Sequence, residues 1–201
     1  MMTSLYRSSV AAMTLILLLA GALFWKTTGL HQVLEWQQAV ADAPALLANN
    51  TELNKNQQRK VALALRTRLQ SDPDYAQGWI LLGNMQVNLG DHQNALAAFY
   101  HAWKLMPTDI TATLDYSSSL IRSGSAFNIN KAIDILTTLD GHNPDNTKIL
   151  SQLAYAALSK DDFPQATLWF RRILSQLPAQ DQRRELIQQM ITNLEQKNQT
   201  P

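Results

Sequence analysis

The sequence predicts an all-α fold: a superhelix of stacked helix-turn-helix repeats behind a single apolar helix, closed by a capping helix. Three observations predict it. Pro73, Pro107, Pro144 and Pro178 recur at intervals of 34, 37 and 34 residues. Between them run segments rich in Ala, Leu and Gln, broken only by the short stretches "SDPD", "MPTD", "GHNPDN" and "LPAQD". Such punctuation marks helix ends and turns. Third, residues Val10 to Trp25, "VAAMTLILLLAGALFW", carry no charge. A period near 34 residues is the length of a helical hairpin that cannot bury its apolar face alone, so neighbours must stack.

Composition bounds the function. The chain has 201 residues and 46% hydrophobic content, enough for one packed domain with an appendage. Its formal net charge is +1, yet all 16 acidic residues lie beyond residue 30, where 15 of the 17 basic ones also lie. No basic run or basic, aromatic-interleaved patch occurs, which argues against nucleic acid as a partner. With no cysteine, thiol catalysis, CxxC redox chemistry, zinc–thiolate sites and haem attachment to this chain are excluded.

The apolar segment, bounded by Arg7 and Lys26, reaches about 24 Å as a helix, against a hydrocarbon core of about 30 Å. Ser8, Ser9, Thr27 and Thr28 extend it, and Trp25 suits the interface. Residues 1–29 are therefore read as a single-pass membrane anchor. The alternative is a cleaved signal peptide, because Ala20-Gly21-Ala22 fits a small-x-small cleavage site. Arg7 and the terminal amine precede the segment, which keeps the N-terminus cytoplasmic. The body then lies on the periplasmic side of the inner (cytoplasmic) membrane. Residues 30–55 read as a stalk or linker helix over Gly29 to Ala48, with Asn49-Asn50 as its break. The domain proper is expected over 56–201. It opens on "NQQRKVALALRTRLQ", whose Val61, Leu65 and Leu69 share one face, as in the second helix of a degenerate repeat.

Three repeats follow, at about 76–109, 110–146 and 147–180. Counting from Ala76, Trp79 stands at the fourth position, Leu82 and Gly83 at the seventh and eighth, and Gly90 near the turn. Ala95, Phe99, Ala102 and Pro107 occupy the twentieth, twenty-fourth, twenty-seventh and thirty-second. These offsets resemble the tetratricopeptide (TPR) pattern, from which Gln86 departs where an aromatic is usual. The third repeat carries Leu150, Leu153, Ala154, Ala166, Phe170, Ile173 and Pro178. The second carries Thr113, Tyr116 and Ser117, then Ala132, Leu136, Leu139 and Pro144, in register only if "SGSAFNINKA" holds three extra residues. There Ser123-Gly124 is expected to end one helix and Asn128 or Asn130 to cap the next, so that the extra residues lengthen the turn. Small Gly83 and Ala154 should let Ala95 and Ala166 of the second helices approach. A capping helix at about 181–196 places Leu186, Met190 and Leu194 at helical spacing.

No catalytic constellation is evident. His31, His92, His101 and His142 do not pair at ligand spacing, Asp91 and Asp161-Asp162 sit where helices start, and no phosphate loop or nucleophile motif occurs. The expectation is a non-enzyme without cofactor or metal. The pairs Arg171-Arg172 and Arg183-Arg184 read as solvated surface, or as a dock for an acidic partner.

What remains is the groove that TPR arrays line with first helices, at the second, fifth, sixth, ninth, twelfth and thirteenth positions. These are Gln77, Ile80, Leu81, Asn84, Val87 and Asn88 in the first repeat. Thr111, Leu114, Asp115, Ser118, Ile121 and Arg122 follow in the second, and Lys148, Ser151, Gln152, Tyr155, Leu158 and Ser159 in the third. The polar members, Gln77, Asn84, Asn88, Asp115, Ser118, Arg122, Lys148, Gln152 and Tyr155, are the candidate peptide-binding residues. Amides such as Asn84 and Asn88 both donate to and accept from a peptide backbone. Arg122 and Lys148 suit a terminal carboxylate, and Tyr155 offers an amphipathic face.

The run "RLQSDPDYAQGWILLGNMQVNLGDHQNALAAFYHAWKLMP", a lengthened second repeat with "DYSSSL", and "DDFPQATLWFRRILSQLP" stand behind one apolar segment. Over roughly residues 56–195 the chain resembles the TPR part of c-type cytochrome biogenesis proteins of the CcmH, CcmI, CycH and NrfG type. The resemblance implies a non-catalytic subunit of a haem lyase system. Such a subunit binds apocytochrome c, often by its C-terminal segment, and presents it to integral-membrane haem lyase subunits for covalent haem attachment. Some relatives carry a CxxC thiol-redox domain, which this chain lacks. The resemblance leaves open a general system or one dedicated to a nitrite-reductase-type cytochrome. The alternative function is a generic membrane-anchored TPR scaffold, or a periplasmic chaperone for envelope protein assembly.

Overall fold

The structure, a computed structural model, describes residues 29–48 and 53–199. The expected anchor over 1–29 lies outside them except for Gly29, as do Asn49 and Asn50. Among the described residues no helix is long and apolar enough to cross a membrane. All regular structure in them is helical: α1 (Gly29–Ala48), α2 (Lys55–Ser71), α3 (Ala76–Leu89), α4 (His92–Leu105), α5 (Ile110–Arg122), α6 (Ala126–His142), α7 (Thr147–Leu158), α8 (Phe163–Gln176) and α9 (Arg183–Gln199).

The chain forms two compact units, residues 1–67 and 68–201. In the first, α1 and α2 run antiparallel. Trp36 Nε1 donates to Thr67 Oγ1 at 2.7 Å, and Lys60 Nζ meets Asp42 at 3.0 Å, so rising numbers on one helix meet falling numbers on the other. A reciprocal cap starts α2. Asn54 Oδ1 accepts from the backbone N–H groups of Asn56 and Gln57, while Gln57 Oε1 accepts from that of Asn54.

In the second unit α3/α4, α5/α6 and α7/α8 form three hairpins, each packed on the next, with α9 against α8. Short polar side chains start most of these helices. Asp91, Asp109, Asn146 and Asp162 accept from the backbone N–H of Asn94, Ala112, Lys148 and Gln165, satisfying donors that a helix start leaves free. The turn after α3 closes on Gly90 at φ 81°, where positive φ costs glycine nothing. Asp161, at φ 56°, stands before the capping Asp162 in the third hairpin.

Within the first hairpin the Phe99 ring lies nearest to Gly83, in a core cluster that also holds Ala95. A Cβ on Gly83 would lie 2.4 Å from the Phe99 ring. Between hairpins, a side chain at the fourth repeat position binds the carbonyl of the preceding proline. Trp79 Nε1 donates to Pro73 O at 2.8 Å, and Thr113 Oγ1 to Pro107 O at 3.3 Å. The Trp79 ring also stacks on His101, with centroids 4.4 Å apart.

Two sequence expectations are corrected. First, α6 starts at Ala126, before both Asn128 and Asn130, and runs 17 residues against 14 in α4 and α8. The three extra residues thus build an added first turn and not a longer loop, because nothing in Ala126-Phe127-Asn128 opposes a helix. Asn128 does not cap; its Nδ2 donates to Ser123 Oγ at 2.9 Å. The buried face begins at Ile129, and Phe127 is left 76% exposed.

Second, α9 buries Ile187, Ile191 and Leu194, whereas Leu186 is 60% exposed. Packing on Ala166, Phe170, Ile173 and Leu177 selects that stripe. The arginine pairs stay at the surface as read, with Arg171 and Arg183 exposed, and they are engaged within the chain. Arg172 holds Asp140 with both terminal nitrogens, at 2.7 and 3.1 Å, and reaches Asp145 at 3.4 Å. Arg184 donates to the carbonyls of Leu174 and Leu177 at the end of α8. Arg171 pairs with Glu195 and Arg183 with Asp181.

The Gly83–Phe99 contact is testable. Gly83→Ala is expected to cost about 1–3 kcal/mol, the usual scale of overpacking, read as a Tm several degrees lower in a circular-dichroism melt. An unchanged Tm would show that the ring shifts freely.

Candidate functional site

The first helices α3, α5 and α7 carry the candidate positions, and the structure brings a subset of them together. Gln152 Nε2 of α7 donates to Leu114 O of α5 at 3.0 Å. Beside this tie lies a cavity of about 300 Å³ lined by Ser118, Ile121, Arg122, Gln152 and Tyr155. The helical period explains the set. Residues 118, 121 and 122 share one face of α5, and 152 and 155 one face of α7. Ile121 also packs against the core that holds Leu136 and Leu153, which anchors the cavity floor.

The polar groups here are under-used. Gln152 Oε1 is shut off from water and has no hydrogen-bond partner, an arrangement that costs stability unless something donates to it. Arg122 is exposed, and its guanidinium makes no hydrogen bond or ion pair among the described residues. Tyr155 is 62% exposed. Asp115, half-buried on the same helix but outside the cavity lining, also lacks a partner among them. Burial, and then the nearby Asp109 carboxylate, push its pKa above the ordinary 3.8.

The other candidates are placed differently. Lys148 is exposed on α7, outside the cavity lining. Gln77, Asn84 and Asn88 are exposed on α3, also outside it. Of the apolar groove positions, Ile80 is buried with Ala102 and Ala112. Val87, Leu114 and Leu158 pack partly into the core. Apolar side chains at these positions serve the joint between hairpins, which leaves the polar ones facing the groove.

Sequence reasoning missed a second cavity, of about 360 Å³, on the second helices. Trp103 of α4 and Ile135, Thr138 and Leu139 of α6 form its walls, with Pro107 and His142 at its edges. The available signal was Trp103, a large ring at a second-helix position outside the repeat pattern; it stacks on Tyr116 at 5.1 Å. Among the described residues no three His, Asp or Glu side chains could hold a metal ion.

Asp115 yields a pH prediction. A raised carboxyl pKa in the folded state means that protonation stabilises the fold: this stabilisation is full below about 3.8 and is lost as pH rises through the raised value. Asp115→Asn is therefore expected to be more stable than the parent at neutral pH, with the difference vanishing in acid. Urea titrations at several pH values check this, and a less stable variant at pH 7 would contradict it.

Comparison with known proteins places this geometry in a family. Residues 32–184 match the family model described as the cytochrome c-type biogenesis protein H TPR domain. Over 180 residues the chain is 34% identical to the cytochrome c-type biogenesis protein CcmH of Escherichia coli (strain K12), covering 87% of this chain and 51% of that protein. Over 142 residues it is 26% identical to the formate-dependent nitrite reductase complex bifunctional subunit NrfFG of Haemophilus influenzae, covering 70% and 37%. The chain thus spans about half or less of the length of the curated relatives it matches. Among solved structures, a MamA protein superposes with TM-score 0.63 at 15% identity, covering 82% of each chain. MamA 41-end from Desulfovibrio magneticus RS-1 gives 0.57 at 13%, covering 83% of this chain and 98% of that one; these share the fold alone. By its matched domain and its relatives, the chain belongs to the CcmH/CycH-type TPR family of cytochrome c biogenesis proteins.

Proposed function

We propose that this chain is a non-catalytic TPR subunit of a cytochrome c maturation system. It holds the C-terminal segment of apocytochrome c between α5 and α7 and presents it to integral-membrane haem lyase subunits for covalent haem attachment. The observation that carries this reading is the cavity lined by Ser118, Arg122, Gln152 and Tyr155, in which donors and acceptors lack partners. An extended client offers what these groups lack. A terminal carboxylate pairs with Arg122, and an apolar side chain covers the Tyr155 ring.

The apolar stretch from Val10 to Trp25 supports an inner-membrane anchor with the body on the periplasmic side. Tethering raises the effective concentration of a weakly held client near the lyase. Family membership supports the maturation role over a generic scaffold.

Calorimetry of the full chain with a peptide copied from the C-terminus of a c-type cytochrome tests the site. Arg122→Ala with Tyr155→Ala is expected to weaken binding by about tenfold or more, and by more than Asn84→Ala with Asn88→Ala. Equal affinity in the parent and the Arg122/Tyr155 variant would remove the cavity from the account. Normal covalent haem staining in a strain lacking the gene would favour the scaffold reading.

A further inference from the structure

We infer that Asp115 selects clients carrying a lysine or arginine about three residues before their C-terminal carboxylate, an inference that rests on the peptide-groove reading above. Asp115, Ser118 and Arg122 stand at i, i+3 and i+7 on α5, one row of negative, hydroxyl and positive groups. Both charged ends of the row lack partners among the described residues. They also cannot pair with each other. Seven residues of helix separate them by about 10 Å along the axis, well beyond ion-pair distance.

Asp115 is the unusual member. It is half-buried, and the one charge that acts on it, Asp109, is of the same sign. A carboxylate in that position raises the cost of the fold, and this cost is recovered when a cation arrives. Lys148, on the neighbouring helix α7, forms no ion pair with it, so the chain itself leaves the counter-charge to a ligand.

The spacing then sets the ligand. An extended peptide rises about 3.3 Å per residue, so a carboxylate seated at Arg122 puts a side chain about three residues upstream beside Asp115. The backbone between them runs past Ser118. Direction follows as well: the client's C-terminus points toward the C-terminal end of α5.

The test uses the full chain and two forms of the apocytochrome C-terminal peptide, with lysine or norleucine three residues before the end, measured by calorimetry. The parent protein is expected to prefer the lysine peptide by about tenfold, with the preference shrinking as salt rises. Asp115→Asn is expected to bring the two peptides level by weakening the lysine peptide alone. Asp134→Asn, an exposed acidic residue on α6, should keep the preference, which separates a seated ion pair from attraction by net charge. If the parent binds both peptides equally, or Asp115→Asn keeps the preference, the inference fails while the groove stands. If neither peptide binds, the groove reading fails and the inference with it. A lower Tm for Asp115→Asn would mark the carboxylate as structural and overturn its assignment to the client.

Discussion

Each hairpin can close only where a side chain is nearly missing, and the rest of the fold follows from that constraint on volume. At the eighth repeat position stand Gly83, Ser117 and Ala154. On Gly83 the Phe99 ring occupies the space a Cβ would need, and Ala154 and Ala166 are both fully buried. Ser117 shows how strict the limit is. Its hydroxyl is buried without a hydrogen-bond partner, a cost that a closely packed interior bears when the alternative is a larger side chain between two helices. Once the helices meet this closely, their outer faces fit the next hairpin. The first helices then lie side by side, and a cavity opens between α5 and α7.

Much of this was legible in the sequence. The proline interval gave the hairpin length, and Asp91 and Asp162 cap helix starts as read, because a short side-chain acceptor there answers a fixed need of the backbone. Less legible was anything decided by competition between similar signals. On α9, Leu186/Met190 and Ile187/Ile191 are both i, i+4 stripes leading to Leu194, and the contact with α8 alone chooses between them. In the second hairpin Asn128 and Asn130 looked like caps, but a cap signal loses when the residues before it are content to be helical. Arg172 looked solvated because its partners, Asp140 and Asp145, lie 32 and 27 residues away.

The candidate site was legible in its polar members and less so in its apolar ones. Ser118, Arg122, Gln152 and Tyr155 meet at one cavity, whereas Gln77, Asn84, Asn88, Asp115 and Lys148 lie outside its lining. Ile80 sits at an equivalent position and is buried, because an apolar side chain placed between two first helices gains more from the neighbouring hairpin than from the groove. The cavity at Trp103 had only that one ring as a signal, since it arises from the space between two second helices.

The joints between hairpins differ in kind, which bears on how the array flexes. Trp79 and Thr113 fasten their linkers through neutral hydrogen bonds to proline carbonyls. The third hairpin has Leu150 at that position, fully buried and unable to make such a bond. There the fork of Arg172 on Asp140 and Asp145 spans the joint instead. Dissolved ions screen such a charge pair and leave neutral hydrogen bonds nearly untouched. Of the three joints at the repeat starts, the one beside the α5–α7 cavity is therefore held in part by charge, and ionic strength bears on it more than on the other two.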